Sequence, residues 1–246
     1  VEKRATSDRE RNHIAFDINK ESDGFLFCKH DGSLNNGFEV VSQPATFNAI
    51  RKMDLNKMLF KHRTDVKGFH TATAGMHVHI NRQSFTDLQL YKFVLMLNEN
   101  VSLTKFISQR RNDREFEQWA RLSNSMSQDV KSESAFRIKS MKEGTLTRPA
   151  NKKYQADVKT GGTRYLAVNL QNDATIEVRI FKSNLDEVSF RKNIEFVDAV
   201  FWFCKESPAT DLNVSKFLQF VKKNRQNYSN LLKFFTRITA VESLLN

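Results

Sequence analysis

Four side chains able to bind ions lie on two short, alternating stretches of this chain. In Thr175-Ile176-Glu177-Val178-Arg179-Ile180-Phe181, side chains repeat every two residues along a strand, so Ile176, Val178 and Ile180 share one face and Thr175, Glu177 and Arg179 the other. Gly75-Met76-His77-Val78-His79-Ile80-Asn81 divides in the same way, with Met76, Val78 and Ile80 on one side and His77, His79 and Asn81 on the other. Two strands with a core side and a chemical side therefore offer imidazoles, a carboxylate and a guanidinium, a set suited to holding a metal ion or an anion. The same alternation also describes the solvated face of an ordinary antiparallel sheet. A His-x-His pair taken alone is more often surface or hydrogen-bonded core than a metal site. Glu177, on the chemical face, is expected to be replaceable without harm to the fold.

The elements that position these strands draw on a chain of 246 residues, long enough to bury a large core. Its 21 phenylalanines are groups that a disordered chain lacks. The formal charge of +11 favours an anionic partner: nucleic acid, nucleotide or an acidic substrate. Three prolines and eight glycines speak against a string of linked modules, and a single domain over residues 1–246 is expected. The longest apolar run, Ala199-Val200-Phe201-Trp202-Phe203-Cys204, is far too short to cross a bilayer, and no charged-then-apolar leader opens the sequence. The expectation is a soluble, cytoplasmic protein without a membrane partner, whose two cysteines, Cys28 and Cys204, are reduced thiols in the core.

Residues 1–12 read as a polar start. Strands are expected at His13 to Ile18 and Gly24 to His30 with a turn at Asn19 to Asp23, and another strand runs from Phe38 to Pro44, where Phe38 and Val40 oppose Glu39. Helical spacing follows over residues 45–60. After the His-x-His strand, Ser84 with Asp87 predicts a capped helix buried along Leu88, Tyr91, Leu95 and Met96, and residues 98–122 read as helical too. Residues 137–163 are basic, with only Glu143 and Asp157 opposing the lysines and arginines, and read either as a solvated loop or as a flap over an anionic ligand. Tyr165 to Leu170 then makes a hairpin with the Glu177 strand. A long helix from Asp186 to Glu206, with Asp186 as N-cap, leads into a helical C-terminal part, residues 207–246.

The order of these motifs resembles the amidoligase family related to glutamine synthetase and glutamate-cysteine ligase. The likeness rests on Asp31-Gly32-Ser33-Leu34, on Gly37-Phe38-Glu39-Val40-Val41-Ser42-Gln43-Pro44, on Gly75-Met76-His77-Val78-His79, and on Arg164 to Leu170 followed by Thr175 to Phe181. It implies an α+β fold in which a curved antiparallel sheet presents a concave active face and helices pack behind, as in the glutamine synthetase catalytic domain. It also implies an ATP- and Mg²⁺- or Mn²⁺-dependent ligase that joins a small-molecule or peptide carboxylate to an amine through an acyl phosphate. Carried over by position, Glu39, His77 and Glu177 would be metal ligands, and His79 and Arg179 would face nucleotide phosphates. Arg164 and Asn169 would stand with the cofactor-binding residues, and Asp31 with Arg179 among the catalytic ones. The Glu-x-Glu strand with which that family opens has no counterpart before Asp31. This departure, with the positive charge, supports the alternative of a catalytically degenerate scaffold that binds nucleic acid or a protein. A metal-dependent hydrolase resting on His-x-His alone is a third reading.

Overall fold

The computed structural model describes residues 1–3, 8–34, 37–71, 73–110, 112–122 and 165–236. Helices and small antiparallel sheets alternate along the chain, an α+β architecture without a closed barrel. The chain divides into two compact units, one made of Val1–Met76 with Lys182–Ile194 and the other of His77–Phe181 with Glu195–Asn246.

The first unit begins with a short strand β1 (Glu2–Lys3) paired antiparallel with β4 (Val66–Lys67). Between them lie helix α1 (Asp8–Glu21), the hairpin of β2 (Leu26–His30) and β3 (Phe38–Ser42), and two short helices, α2 (Phe47–Lys52) and α3 (Leu55–Met58). Helix α1 replaces the strand expected at His13 to Ile18. The triplet Ile14, Phe16 and Ile18 fits a two-residue period. It fits a helix equally well if Ile14 and Ile18, one turn apart, face the core and Phe16 is given up to solvent. The fold takes the second option: Ile18 is fully buried, Ile14 packs beside it, and Phe16 is 63% exposed. Helix α1 ends in a turn where Asp23 and Gly24 both take positive φ, and Ser22 Oγ accepts from Leu26 N at 2.8 Å to launch β2.

The helix expected over residues 45–60 is interrupted, because Asp54 caps a new start by accepting from Lys57 N at 3.0 Å. The carbonyls freed by the break meet Arg191, whose guanidinium donates to Ile50 O at 3.0 Å, Arg51 O at 3.2 Å and Met53 O at 2.8 Å. Leu26, Phe38, Leu55, Leu59, Phe60 and Val66 close the core of this unit around Ile18, with Leu185 and Phe190 packed against it. Cys28 is half-buried and Cys204 buried, and both are free thiols as expected.

In the second unit a three-stranded sheet has the order β5-β7-β6, where β5 is Gly75–Asn81, β6 Val168–Asn169 and β7 Thr175–Lys182. Helices α4 (Asp87–Glu99), α5 (Val101–Ser108) and α6 (Asp113–Trp119) follow β5. Thr86, not Ser84, caps α4 by accepting from Gln89 N at 3.2 Å, and Ser84 sits in the single turn before it. The buried face is also wider than expected: Phe93, Val94 and Leu97 are inside, whereas Leu88 and Leu95 are only half-buried. Residues 98–122 do not form one helix, because Gln109 adopts the left-handed conformation (φ 58°) and ends α5. Helix α7 (Glu187–Glu206) starts at Asp186, which accepts from Ser189 N at 2.8 Å, the cap that the sequence predicts. Its second half buries Phe196, Val200 and Phe203, and Phe196 meets Phe181 of β7 edge-on at 6.1 Å. Helices α8 (Val214–Lys223) and α9 (Ser229–Thr236) complete the described part. Among the described residues no helix is long and apolar enough to cross a membrane.

Candidate active site

Strand β7 divides as its alternation predicts: Ile176, Val178 and Ile180 are fully buried on one face, and Glu177 and Arg179 lie on the other. The antiparallel register sets Asn169 of β6 directly opposite Glu177, so both side chains stand on the same face. Asn169 Oδ1 accepts from Gln171 N at 3.0 Å, which fixes the amide and aims its Nδ2 at Glu177 Oε2, 2.8 Å away. From β5, His77 Nδ1 comes within 3.0 Å of Glu177 Oε1, and His79 Nε2 within 3.8 Å. His79 Nδ1 meets Thr175 Oγ1 at 3.1 Å. Arg179 donates through Nη1 to Glu177 Oε1 at 2.6 Å.

Glu177 is thus no solvated side chain on a chemical face: it is 9% exposed and wrapped in donors. Burial alone would raise its pKa. The hydrogen bond and charge of His77, the charge of Arg179 and the hydrogen bond from Asn169 outweigh burial and hold it at about 2, down from 4.5. The carboxylate is therefore ionised across the neutral range.

Arg179 is shaped by a second set of contacts. Its guanidinium lies 5.6 Å from the ring centre of Tyr165, which meets Trp119 edge-on at 5.3 Å. Tyr165 is held by a segment distant in sequence, since Arg121 N donates to Tyr165 O and Ala167 N to Arg121 O, each at 2.9 Å. The Nε of Arg179 is buried and has no hydrogen-bond partner among the described residues. A buried cationic donor in this state is a place where a bound acceptor can be received.

Two arginines that the sequence did not single out hold the hairpin. Arg82 donates to Leu170 O at 2.6 Å and to Asn172 O at 2.9 and 3.2 Å, fastening the turn between β6 and β7. Arg110 reaches the other end of β7 and donates to the carbonyls of Arg179 at 3.1 Å, Ile180 at 3.0 Å and Phe181 at 3.3 Å. Burial, and then the nearby Arg179, bring the Arg110 pKa down to about 10 against the raising effect of Glu115. No spacing signal marks either residue, because each acts by reaching backbone far away in sequence.

Of the site residues expected from sequence, His77, His79, Asn169, Glu177 and Arg179 converge on one face of this sheet. Glu39 and Asp31 belong to the first unit. There Glu39 stands opposite Lys29 across the β2–β3 hairpin and pairs with it at 3.0 Å. Asp31 Oδ1 accepts from Ser33 N at 2.9 Å and Ser33 Oγ at 2.7 Å, an Asx turn that shapes the connection. Arg164 and the basic segment 137–163 lie outside the described residues. Among the described residues no group of three or more His, Cys, Asp or Glu side chains is arranged to hold a metal ion.

No curated protein and no solved structure matches the chain. A family model described as "putative amidoligase enzyme" matches residues 4–201, which include β5, β6 and β7 with the whole Glu177 cluster, and the chain belongs to that family.

Proposed function

We propose that the polar face of the β5-β7-β6 sheet is the concave active face of a glutamine-synthetase-like catalytic domain. On this reading the protein couples ATP cleavage, with Mg²⁺ or Mn²⁺, to joining a small-molecule or peptide carboxylate to an amine. The observation that carries the reading is the pairing of an ionised, buried Glu177 with Arg179, whose buried Nε has no acceptor among the described residues. An unsatisfied buried donor costs about 1–3 kcal/mol, and more when charged, so it is kept where function uses it.

The chemistry follows from the groups present. The γ-phosphoryl of ATP passes to an oxygen of the substrate carboxylate, giving an acyl phosphate and ADP. The amine nitrogen then attacks the acyl carbon, phosphate leaves with the C–O bonding electrons, and the nitrogen loses a proton. Arg179, pinned by Glu177 and Tyr165, and the half-exposed His79 meet phosphoryl oxygens. Catalysis of this kind is mainly positioning and charge stabilisation.

His77 also offers one ligand position to a divalent cation. With Nδ1 turned to Glu177, the His77 nitrogen left for a metal is Nε2, and a carboxylate behind a ligating histidine both orients it and raises its basicity. His77 would hold the ion through Nε2 with Glu177 orienting the ring from behind, and the ion's charge would offset that of the phosphate oxygens.

The test is ADP formation from Mg²⁺-ATP in the presence of paired acids and amines, together with thermal stability with and without Mg²⁺-ATP, since a ligand of the native state raises it. Arg179→Gln is expected to lower turnover by about 100-fold in a folded protein. A parent chain that gains no stability from Mg²⁺-ATP and forms no acid- and amine-dependent ADP would refute the reading.

A further inference from the structure

We infer that Arg110 is a positioning residue for the Glu177–Arg179 pair, an assignment that rests on the proposed function for its catalytic meaning but not for its geometry. Among the described residues, β6 borders strand β7 only at Val178 and Glu177, with one further backbone bond from Arg179 N to Ala167 O at 2.9 Å. Beyond that point the carbonyls of Arg179, Ile180 and Phe181 are taken by Arg110 through Nε and Nη2. A guanidinium does here what a neighbouring strand does elsewhere, because its planar donors can serve successive carbonyls at once. One of the three belongs to Arg179 itself, so the backbone from which that side chain leaves is held directly.

Arg110 is in turn placed by local structure. Gln109 ends α5 in the left-handed conformation, and Arg110 N donates to Ser108 Oγ at 3.2 Å, while Ser108 Oγ donates to Lys105 O at 2.6 Å. The chain therefore leaves α5 in a fixed direction, and the side chain reaches β7 from there. With Arg82 on the turn, β7 is fastened at both ends, and the segment between the fastenings carries Glu177 and Arg179. A shift of about 1 Å in such a segment costs up to about 100-fold in a reaction that depends on alignment.

The experiment compares Arg110→Lys with the parent as full chains. Lysine keeps the charge but replaces the fork by a single point, so it separates charge from geometry. Folding is checked by cooperative thermal unfolding, the dissociation constant of Mg²⁺-ATP is measured per folded molecule, and the ring resonances of ¹⁵N-labelled His77 report its contact with Glu177. Arg110→Lys is expected to weaken Mg²⁺-ATP binding by about ten-fold and to move the His77 resonances. Thr104→Val in α5, which removes the hydroxyl donating to Leu97 O of α4 at 2.7 Å, serves as a merely destabilising control and is expected to keep parental affinity. Parental affinity in folded Arg110→Lys, or equal weakening in the control, would overturn the inference. If the parent does not bind Mg²⁺-ATP, the proposed function fails and the His77 resonances decide instead: unchanged resonances in Arg110→Lys overturn the positioning role, and displaced ones support it. Should Arg110→Lys not fold, Ser108→Ala, which removes the hydroxyl linking the backbone of Arg110 to Lys105 O, is judged by the same two readouts.

Discussion

Glu177 and Glu39 occupy equivalent positions on two antiparallel hairpins, yet they live in different chemical worlds. Each sits between two apolar residues that point to a core, and each faces its cross-strand partner directly, Asn169 for Glu177 and Lys29 for Glu39. Around Glu177, a third strand brings His77, and Arg179 on the same strand folds back over the carboxylate. Around Glu39 the only partner among the described residues is Lys29, and both side chains are open to water, at 39% and 55% exposure. A two-stranded ribbon leaves its polar face wet. A third strand and a stacked aromatic cover it, and covering turns an ordinary ion pair into one that strongly biases protonation.

The largest effect that can break this comparison comes from Glu177→Gln. Removing one partner from a buried pair strands the other charge, so the substitution is expected to cost about 3–5 kcal/mol in urea unfolding and to shift the His77 and Arg179 environments. A cost below about 1 kcal/mol, the range of exposed pairs, would place Glu177 in the same class as Glu39.

Next in size is an acid limb. The Glu177 carboxyl has a folded-state pKa of about 2 against an ordinary 4.5, so folding favours its ionised form. That contribution is complete above pH 4.5 and is lost as pH falls from there towards about 2, and the full difference corresponds to about 3 kcal/mol. Unfolding free energy measured against pH should fall through this window in the parent and fall less in Glu177→Gln. Parallel curves for the two proteins would remove the strong bias assigned to this site.

The smallest effect belongs to Glu39→Gln. An exposed cross-strand pair is worth about 0–1 kcal/mol, and that contribution should fade at high salt. A loss above about 2 kcal/mol that salt leaves intact would mean that the two hairpins are more alike than their exposure indicates.

The contrast also explains what could be read in advance. Alternation told which face of β3, β5 and β7 each side chain takes, because a two-residue period leaves no freedom once one face is buried. It could not tell how deeply the other face is covered, since that depends on a third strand and on Tyr165, placed by long-range packing. The convergence of His77, Asn169, Glu177 and Arg179 was therefore legible, whereas the burial of Glu177 was not. Helix α1 was misread because Ile14 and Ile18 satisfy both periods, and only the exposure of Phe16 distinguishes them. Arg82 and Arg110 were invisible because they bind backbone carbonyls, which carry no side-chain signature.

The course of the chain through the two units has a consequence for how the protein is made. The divisions fall at Met76/His77, Phe181/Lys182 and Ile194/Glu195, within β5, β7 and α7, so the first unit is assembled from two pieces separated by residues 77–181. Leu185 and Phe190 are part of its apolar packing, and Arg191 closes the end of α2. During synthesis these residues follow the rest of their unit, after residues 77–181. Residues 1–76 therefore emerge from the ribosome before the contacts that finish their unit exist. At about 5–20 residues per second, they wait on the order of ten seconds for the returning segment. A nascent chain stopped before residue 182 should be protease-sensitive in that first part, and one extended past residue 194 should not.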